Sequence, residues 1–255
     1  MRKMLLVGMV STFFVASVAL AASDAPKART PNLSDAVRGT EAATSFRYAI
    51  SIAVDRRTDP ARVLEVHGVS GDGQLFVRVR QAVVQLFDGT KVPGPEAAAM
   101  IDGPYLYERA PAGVAVNGTI TWLRVPIAKI GRASPVMGAV RALTPMPLLR
   151  VLGESHAAAT SRIASKFAGM VRYDDPIVRA AITHLTGGVE FHDLRVTAEI
   201  AADGLVHGVG ITGLTADGST TLTITAHLFA FGRPVHLTPP AGTALMDQQL
   251  RTLAE

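Results

Sequence analysis

From Leu194 to Phe231 the chain reads LRVTAEIAADGLVHGVGITGLTADGSTTLTITAHLFAF, and no other stretch limits the fold as tightly. Apolar and polar residues alternate with a period of two, the pattern of strands that keep one face in a core and the other in water. Asp203-Gly204 and Asp217-Gly218 divide the region into strands expected over 189–200, 205–215 and 219–231. Asp-Gly suits hairpin turns because both central residues must tolerate positive φ. A four-residue connection at 201–204 sets Ile200 opposite Leu205, and the two-residue turn at 217–218 sets Ala216 opposite Ser219. In that register Leu194, Val196, Ala198 and Ile200 share a face with Leu205, Val209, Ile211, Leu222, Ile224 and Leu228. Arg195, Thr197, Glu199, Thr221, Thr223 and Thr225 fall on the opposite face. A slip of one residue would scatter both sets. An antiparallel sheet with one wholly apolar face has to be covered.

The cover is expected from two helical stretches. Residues 137–155 are apolar and broken by Pro145 and Pro147, which predicts a kinked helix or a pair of helices. Residues 174–188 predict a helix capped by Asp175, with Pro176 in its first turn and Gly187-Gly188 at its end. Residues 34–45 can begin another, with Ser34 as the cap. Upstream of the meander, Phe46, Tyr48, Ile50, Ile52 and Val54 alternate with polar residues, which predicts a half-buried strand. Further hairpin signals stand at Asp72-Gly73, Asp88-Gly89, Asp102-Gly103 and Asn117-Gly118. The predicted fold class is α+β, an antiparallel sheet with helices over its apolar face.

The N-terminus predicts export. Arg2 and Lys3 precede an uncharged apolar run from Met4 to Ala21, and Ala19-Leu20-Ala21 carries small residues where a signal peptidase cuts. The expected division is a signal peptide at 1–21, a flexible lead-in at 22–33, one domain at 34–241 and a short C-terminal segment at 242–255. An uncleaved anchor is the alternative, since the run approaches the roughly 18 residues of a spanning helix. The exported chain is expected in the periplasm, the cell envelope or the medium, soluble and monomeric. It contains no cysteine, which excludes disulfides, thiol chemistry and an N-terminal lipid on cysteine. Cleavage would remove two of the four net positive charges. No Lys/Arg block remains that could track a nucleic-acid backbone.

Residues for catalysis do not assemble in the sequence. Gly68-Val69-Ser70-Gly71-Asp72 lacks the last glycine of a nucleophile elbow and reads as a turn before a strand over 74–80. His192 and His207 share a face but lie about 20 Å apart along the strands, whereas His207 and His227 point to opposite faces. Neither pair can chelate a metal. Neither an enzyme nor a cofactor is expected.

One resemblance adds to this reading. Phe231-Gly232-Arg233-Pro234-Val235 and Pro239-Pro240 follow the meander, with the AADGLVHGVGI hairpin at 201–211, the Asp175-Pro176 helix start and Met146-Pro147-Leu148-Leu149 before them. In that order they resemble the LolA-like lipoprotein-carrier superfamily, nearest its LppX/LprG-type lipid-binding branch, although the lipobox cysteine of that branch is absent. The resemblance implies a strongly curved, unclosed half-barrel whose helices plug a cavity for acyl chains. Its members carry lipoproteins, acylated lipids or glycolipids through the envelope. Phe46, Tyr48, Ile50, Ile52, Val196, Val209, Ile211, Leu222, Ile224 and Leu228 are the expected cavity wall, and Met146, Leu148, Leu149 and Leu152 the expected lid. The implied partners are acylated cargo and a membrane or membrane-protein donor and acceptor. The alternative is a regulatory or scaffold module of the same fold whose main partner is an envelope protein. Gly232 and Pro234 are expected to end the last long strand, since Pro234 has no N–H for a ladder.

Overall fold

The computed structural model describes residues 32–57, 59–82, 84–85, 91–92, 94–109, 122–131, 134–155, 158–159, 165–186, 188–241 and 243–245. The expected leader and most of the lead-in lie outside these residues, as do the turn signals at Asp88-Gly89 and Asn117-Gly118.

The chain opens with helix α1 (Leu33–Glu41) and strands β1 (Ser45–Arg56), β2 (Asp59–Gly71) and β3 (Gln74–Gln81). A short ribbon, β4 (Val84–Gln85) with β5 (Lys91–Val92), precedes β6 (Glu96–Asp102), β7 (Tyr105–Arg109) and β8 (Trp122–Pro126). Three helices follow: α2 (Ile127–Ile130), α3 (Pro135–Ala142) and α4 (Met146–Gly153). Then come β9 (Ala158–Ala159), β10 (Ser165–Arg172), α5 (Pro176–Thr186), β11 (Asp193–Ile200), β12 (Val206–Leu214), β13 (Thr220–Phe229) and β14 (Thr243–Leu245).

Among the described residues, twelve strands form one sheet in the order β14-β8-β7-β6-β3-β2-β1-β13-β12-β11-β10-β9. β9 and β14 stand at opposite edges, so the sheet does not close. Its pairs are antiparallel except β14 with β8. The protein is therefore an α+β fold, a curved and unclosed antiparallel sheet with helices on its apolar face. β1 lies at the middle of the order, next to β13, and so joins the N-terminal and C-terminal meanders.

The helices take their ends from local chemistry. The Asp175 carboxylate accepts from the N–H groups of Ile177 and Val178, at 2.8 and 3.2 Å, and Pro176 occupies the first turn, where no N–H is needed. The predicted break in 137–155 is found: α3 ends at Ala142 and α4 begins at Met146. α3 is capped by Ser134, whose hydroxyl accepts from Met137 N–H. At α1 the cap is Asn32 and not Ser34. The Asn32 side chain accepts from Ser34 N–H, and the helix ends at Glu41 rather than near 45.

The β12–β13 register is the expected one, with Leu214 opposite Thr221 and Ile211 opposite Ile224. The β11–β12 register differs by two residues. Val196 lies opposite Ile211, Ala198 opposite Val209, and a bulge at Glu199/Ile200 puts Ile200 opposite Val206. An even shift keeps the apolar residues on their face. The bulge changes one position, because Val206 rather than Leu205 enters the core. Thr40 of α1 holds this place: its buried hydroxyl donates to Ala36 C=O at 2.7 Å and accepts from Val206 N–H at 2.8 Å. β11 begins at Asp193 instead of 189.

The last long strand ends earlier than expected. β13 stops at Phe229, and Ala230 already has φ of 56°. Beyond it the chain crosses the ends of β1, β2 and β3. Ser45 Oγ donates to Arg233 C=O, Val235 N–H donates to Asp72, and Leu237 N–H donates to Gln74 Oε1 at 2.9 Å. The sheet also extends past the expected boundary at 241, since Thr243–Leu245 pairs with Trp122–Arg124 of β8.

Candidate functional site

All ten expected wall residues lie on one face of the sheet and in one apolar cluster. Their order follows from the pairing. Ile52, Ile224, Ile211 and Val196 form a row across β1, β13, β12 and β11. Ile50 and Val209 flank Ala226 in the next row, and Tyr48 faces Leu228 in the row after that. Leu222 lies between Val54 and Gly213, and Phe46 stacks at 6.0 Å against Phe231. None of the ten is more than 4% exposed. Of the expected lid, Leu148, Leu149 and Leu152 of α4 are buried, while Met146 at the start of the helix is half-buried. This half of the apolar face is packed, with α1 against β11 and β12 and α4 against β11.

On the other half the cover thins. Across β2, β3 and β6 the same face carries Leu64, Leu75, Val79, Ala99 and Ile101, each half-buried and packed against the core, interleaved with Val66 and Val77, which are buried in it. Ile127, Ile130, Leu143 and Met146 from the helical side are half-buried in the same way. The half-buried apolar positions are thus next to the expected wall and not in it. This half was missed in the sequence, although Leu64-Val66-Gly68 and Leu75-Val77-Val79 alternate as cleanly as the C-terminal strands. Carrying the register through the Asp72-Gly73 turn would have found it, since that turn sets Gly71 opposite Gln74. Both turn residues have positive φ, 51° and 74°.

One row crosses from the packed half to the thin one: Tyr48, Gly68, Val77, Ala99 and Glu108. Tyr48 and Glu108 are its polar members, and the row continues to Leu228 of β13 and Leu123 of β8. The Tyr48 ring lies over Gly68, where a Cβ would come within 2.6 Å of ring atom Cε1 and closer still to Cζ and the hydroxyl oxygen. Glycine is therefore required there by close approach rather than by φ. Tyr48 is 1% exposed, and among the described residues its hydroxyl has no hydrogen-bond partner. Burial pushes this phenol above its ordinary range. Further along the row the Glu108 carboxyl remains accessible at the rim, and partial burial raises its pKa.

Among the described residues Arg124 Nε of β8 is also buried without a hydrogen-bond partner, while several other polar groups are occupied structurally. Tyr173, also buried, donates to Val189 C=O at 3.1 Å and meets Thr183 Oγ1 at 3.2 Å. His207 bonds Asp203 at 2.8 Å and packs on Phe231 at 5.0 Å. Its strand position is in the bulge at Glu199/Ile200. Among the described residues no group of three His, Cys, Asp or Glu side chains is placed to hold a metal ion. Among them, too, no helix is long and apolar enough to cross a membrane.

No family model matches the sequence, and no curated protein matches it. Similar solved structures include a LolA superfamily protein from Nitrosomonas europaea, with 10% sequence identity and a TM-score of 0.27, covering 80% of this chain and 93% of that one. A DUF1329 family protein from Desulfovibrio piger has 8% identity and a TM-score of 0.29, covering 81% and 92%. The dehydratase domain from the terminal module of the rifamycin polyketide synthase has 11% identity and a TM-score of 0.19, covering 78% and 80%. Likenesses of this size assign neither a family nor an activity to the chain.

Proposed function

We propose that the chain is an exported, non-enzymatic carrier that binds acyl chains of a lipid, glycolipid or lipoprotein on its apolar face and moves them through the cell envelope. The observation that carries this reading is the uneven cover of one continuous apolar face. Packed core lies on one side, and on the other the half-buried Leu64, Leu75, Val79, Ala99 and Ile101 are interleaved with the buried Val66 and Val77. An acyl chain laid on the half-buried residues needs no catalytic group. Each buried CH₂ contributes about 0.8 kcal/mol, so one long chain supplies on the order of 10 kcal/mol before the costs of association. The sequence at 1–21 supports export, and the motifs around Phe231-Gly232 and Pro239-Pro240 support the carrier reading.

The test is expression with the native leader in a bacterial host and gentle purification. Native mass spectrometry is then compared with mass spectrometry of an organic extract. Near-stoichiometric lipid on a chain beginning at Ala22 is the expected result. A ligand-free mass that takes up no added phospholipid would make the apolar face ordinary core and direct the search to protein partners.

A further inference from the structure

We propose that the Tyr48 hydroxyl is the hydrogen-bond donor for the carbonyl oxygen of an acyl ester or amide seated along the row Gly68–Val77–Ala99; this rests on the carrier reading above. Three observations place it there. The hydroxyl is buried and lacks a partner among the described residues, whereas the buried hydroxyl of Tyr173 is bonded to Val189 and Thr183. A buried donor without an acceptor is costly, and phenylalanine would fill the same space without that cost. Second, Gly68 leaves room for the ring to reach across β2, onto a row in which Val77 is buried and Ala99, beside Ile101, is half-buried.

The third observation selects the chemistry of the acceptor. The rows of this face through Phe46, Tyr48 and Ile50 carry no Lys or Arg from β1 to β6. Glu108, further along the Tyr48 row, is itself an acid. A phosphate or free fatty carboxylate would enter without a counter-charge and face a carboxyl group. An uncharged carbonyl, which needs one donor and otherwise apolar walls, fits. The ester or amide end of the chain is then fixed at Tyr48, and the hydrocarbon runs over Leu75, Val79 and Ile101.

The experiment uses the full chain processed from its own leader, as wild type and as Tyr48→Phe. Each is incubated with vesicles of dipalmitoyl phosphatidylcholine or of its di-O-hexadecyl ether counterpart, which has the same chains and headgroup but no carbonyls. Bound lipid is counted by mass spectrometry after the vesicles are removed. The wild type is expected to take the ester lipid about tenfold more tightly than the ether. Tyr48→Phe is expected to lose that preference, and to melt no lower than the wild type. Equal wild-type uptake of the two lipids overturns the Tyr48 assignment while leaving the carrier reading in place, and this arm does not depend on the variant folding. A preference that survives in Tyr48→Phe overturns it equally. Uptake of neither lipid overturns the carrier reading itself.

Discussion

At Gly68 the side chain of one strand uses the space that a side chain of the next would have filled. Gly68→Ala puts a methyl group against the Tyr48 ring, in a row where β1 and β2 are paired and neither backbone can easily retreat. We expect a loss of about 1–3 kcal/mol, read as a lowered urea midpoint at unchanged m-value. Gly138→Ala is the contrast, because a Cβ there meets nothing within 4 Å in helix α3 and should stabilise by up to about 1 kcal/mol. Both glycines look alike in the sequence. Tyr48 is legible as an inward residue from its place in the alternation, but its unpartnered hydroxyl is not, because satisfaction depends on groups brought in by other strands.

At the scale of elements, the segment after β13 works as a strap. Gln74 grips it from both sides: its Oε1 accepts from Leu237 N–H, and its Nε2 donates to Leu237 C=O at 3.2 Å and to Asp102 Oδ1 at 2.8 Å. Gln74→Ala should release this grip and speed amide exchange in residues 233–238, with little change in the amides of β11–β13. Uniform acceleration across the sheet would show that the strap is part of the global unit and not a local one. The strap was half-readable. Gly232 and Pro234 announced an end to the ladder, but the turn begins at Ala230, and an alanine with positive φ gives no signal in a sequence. The change from antiparallel to parallel pairing at β14 was not foreseen, because three residues of edge strand carry no periodicity of their own.

For the whole molecule, pH acts through groups whose pKa differs between the folded and unfolded chain. Glu108 is raised in the fold, so the folded state holds its proton more tightly. Its penalty is absent at low pH and grows as pH rises through the ordinary glutamate range, about 4.3, to the raised folded value. Glu108→Gln should therefore raise the melting temperature at pH 7 and leave it unchanged at about pH 3.5. Equal gains at both pH values would mean that packing, not charge, is responsible. Asp217 has the opposite sign. Its carboxylate accepts from the Thr215 hydroxyl and from Ser219, which hold its pKa down to about 2. Its contribution is present above the ordinary aspartate range and is lost as pH falls toward about 2.

The sequence by itself determined which residues face inward. Alternation has a period of two, and an even register shift or a shortened strand cannot move a residue across the sheet, so Val196, Ile211, Ile224 and their neighbours were placed correctly although β11–β12 is two residues from its expected register. It also determined the helix that begins behind Asp175-Pro176 and the break between α3 and α4, since caps and prolines act within a few residues. Only the tertiary structure decided which part of the apolar face is packed shut and which is left half-covered. That depends on where α1, α4 and α5 settle, a matter of packing between segments far apart in the chain. It likewise decided that Gly68, Ala99 and Glu108 complete the row of Tyr48, because a row across a sheet is assembled from several strands at once.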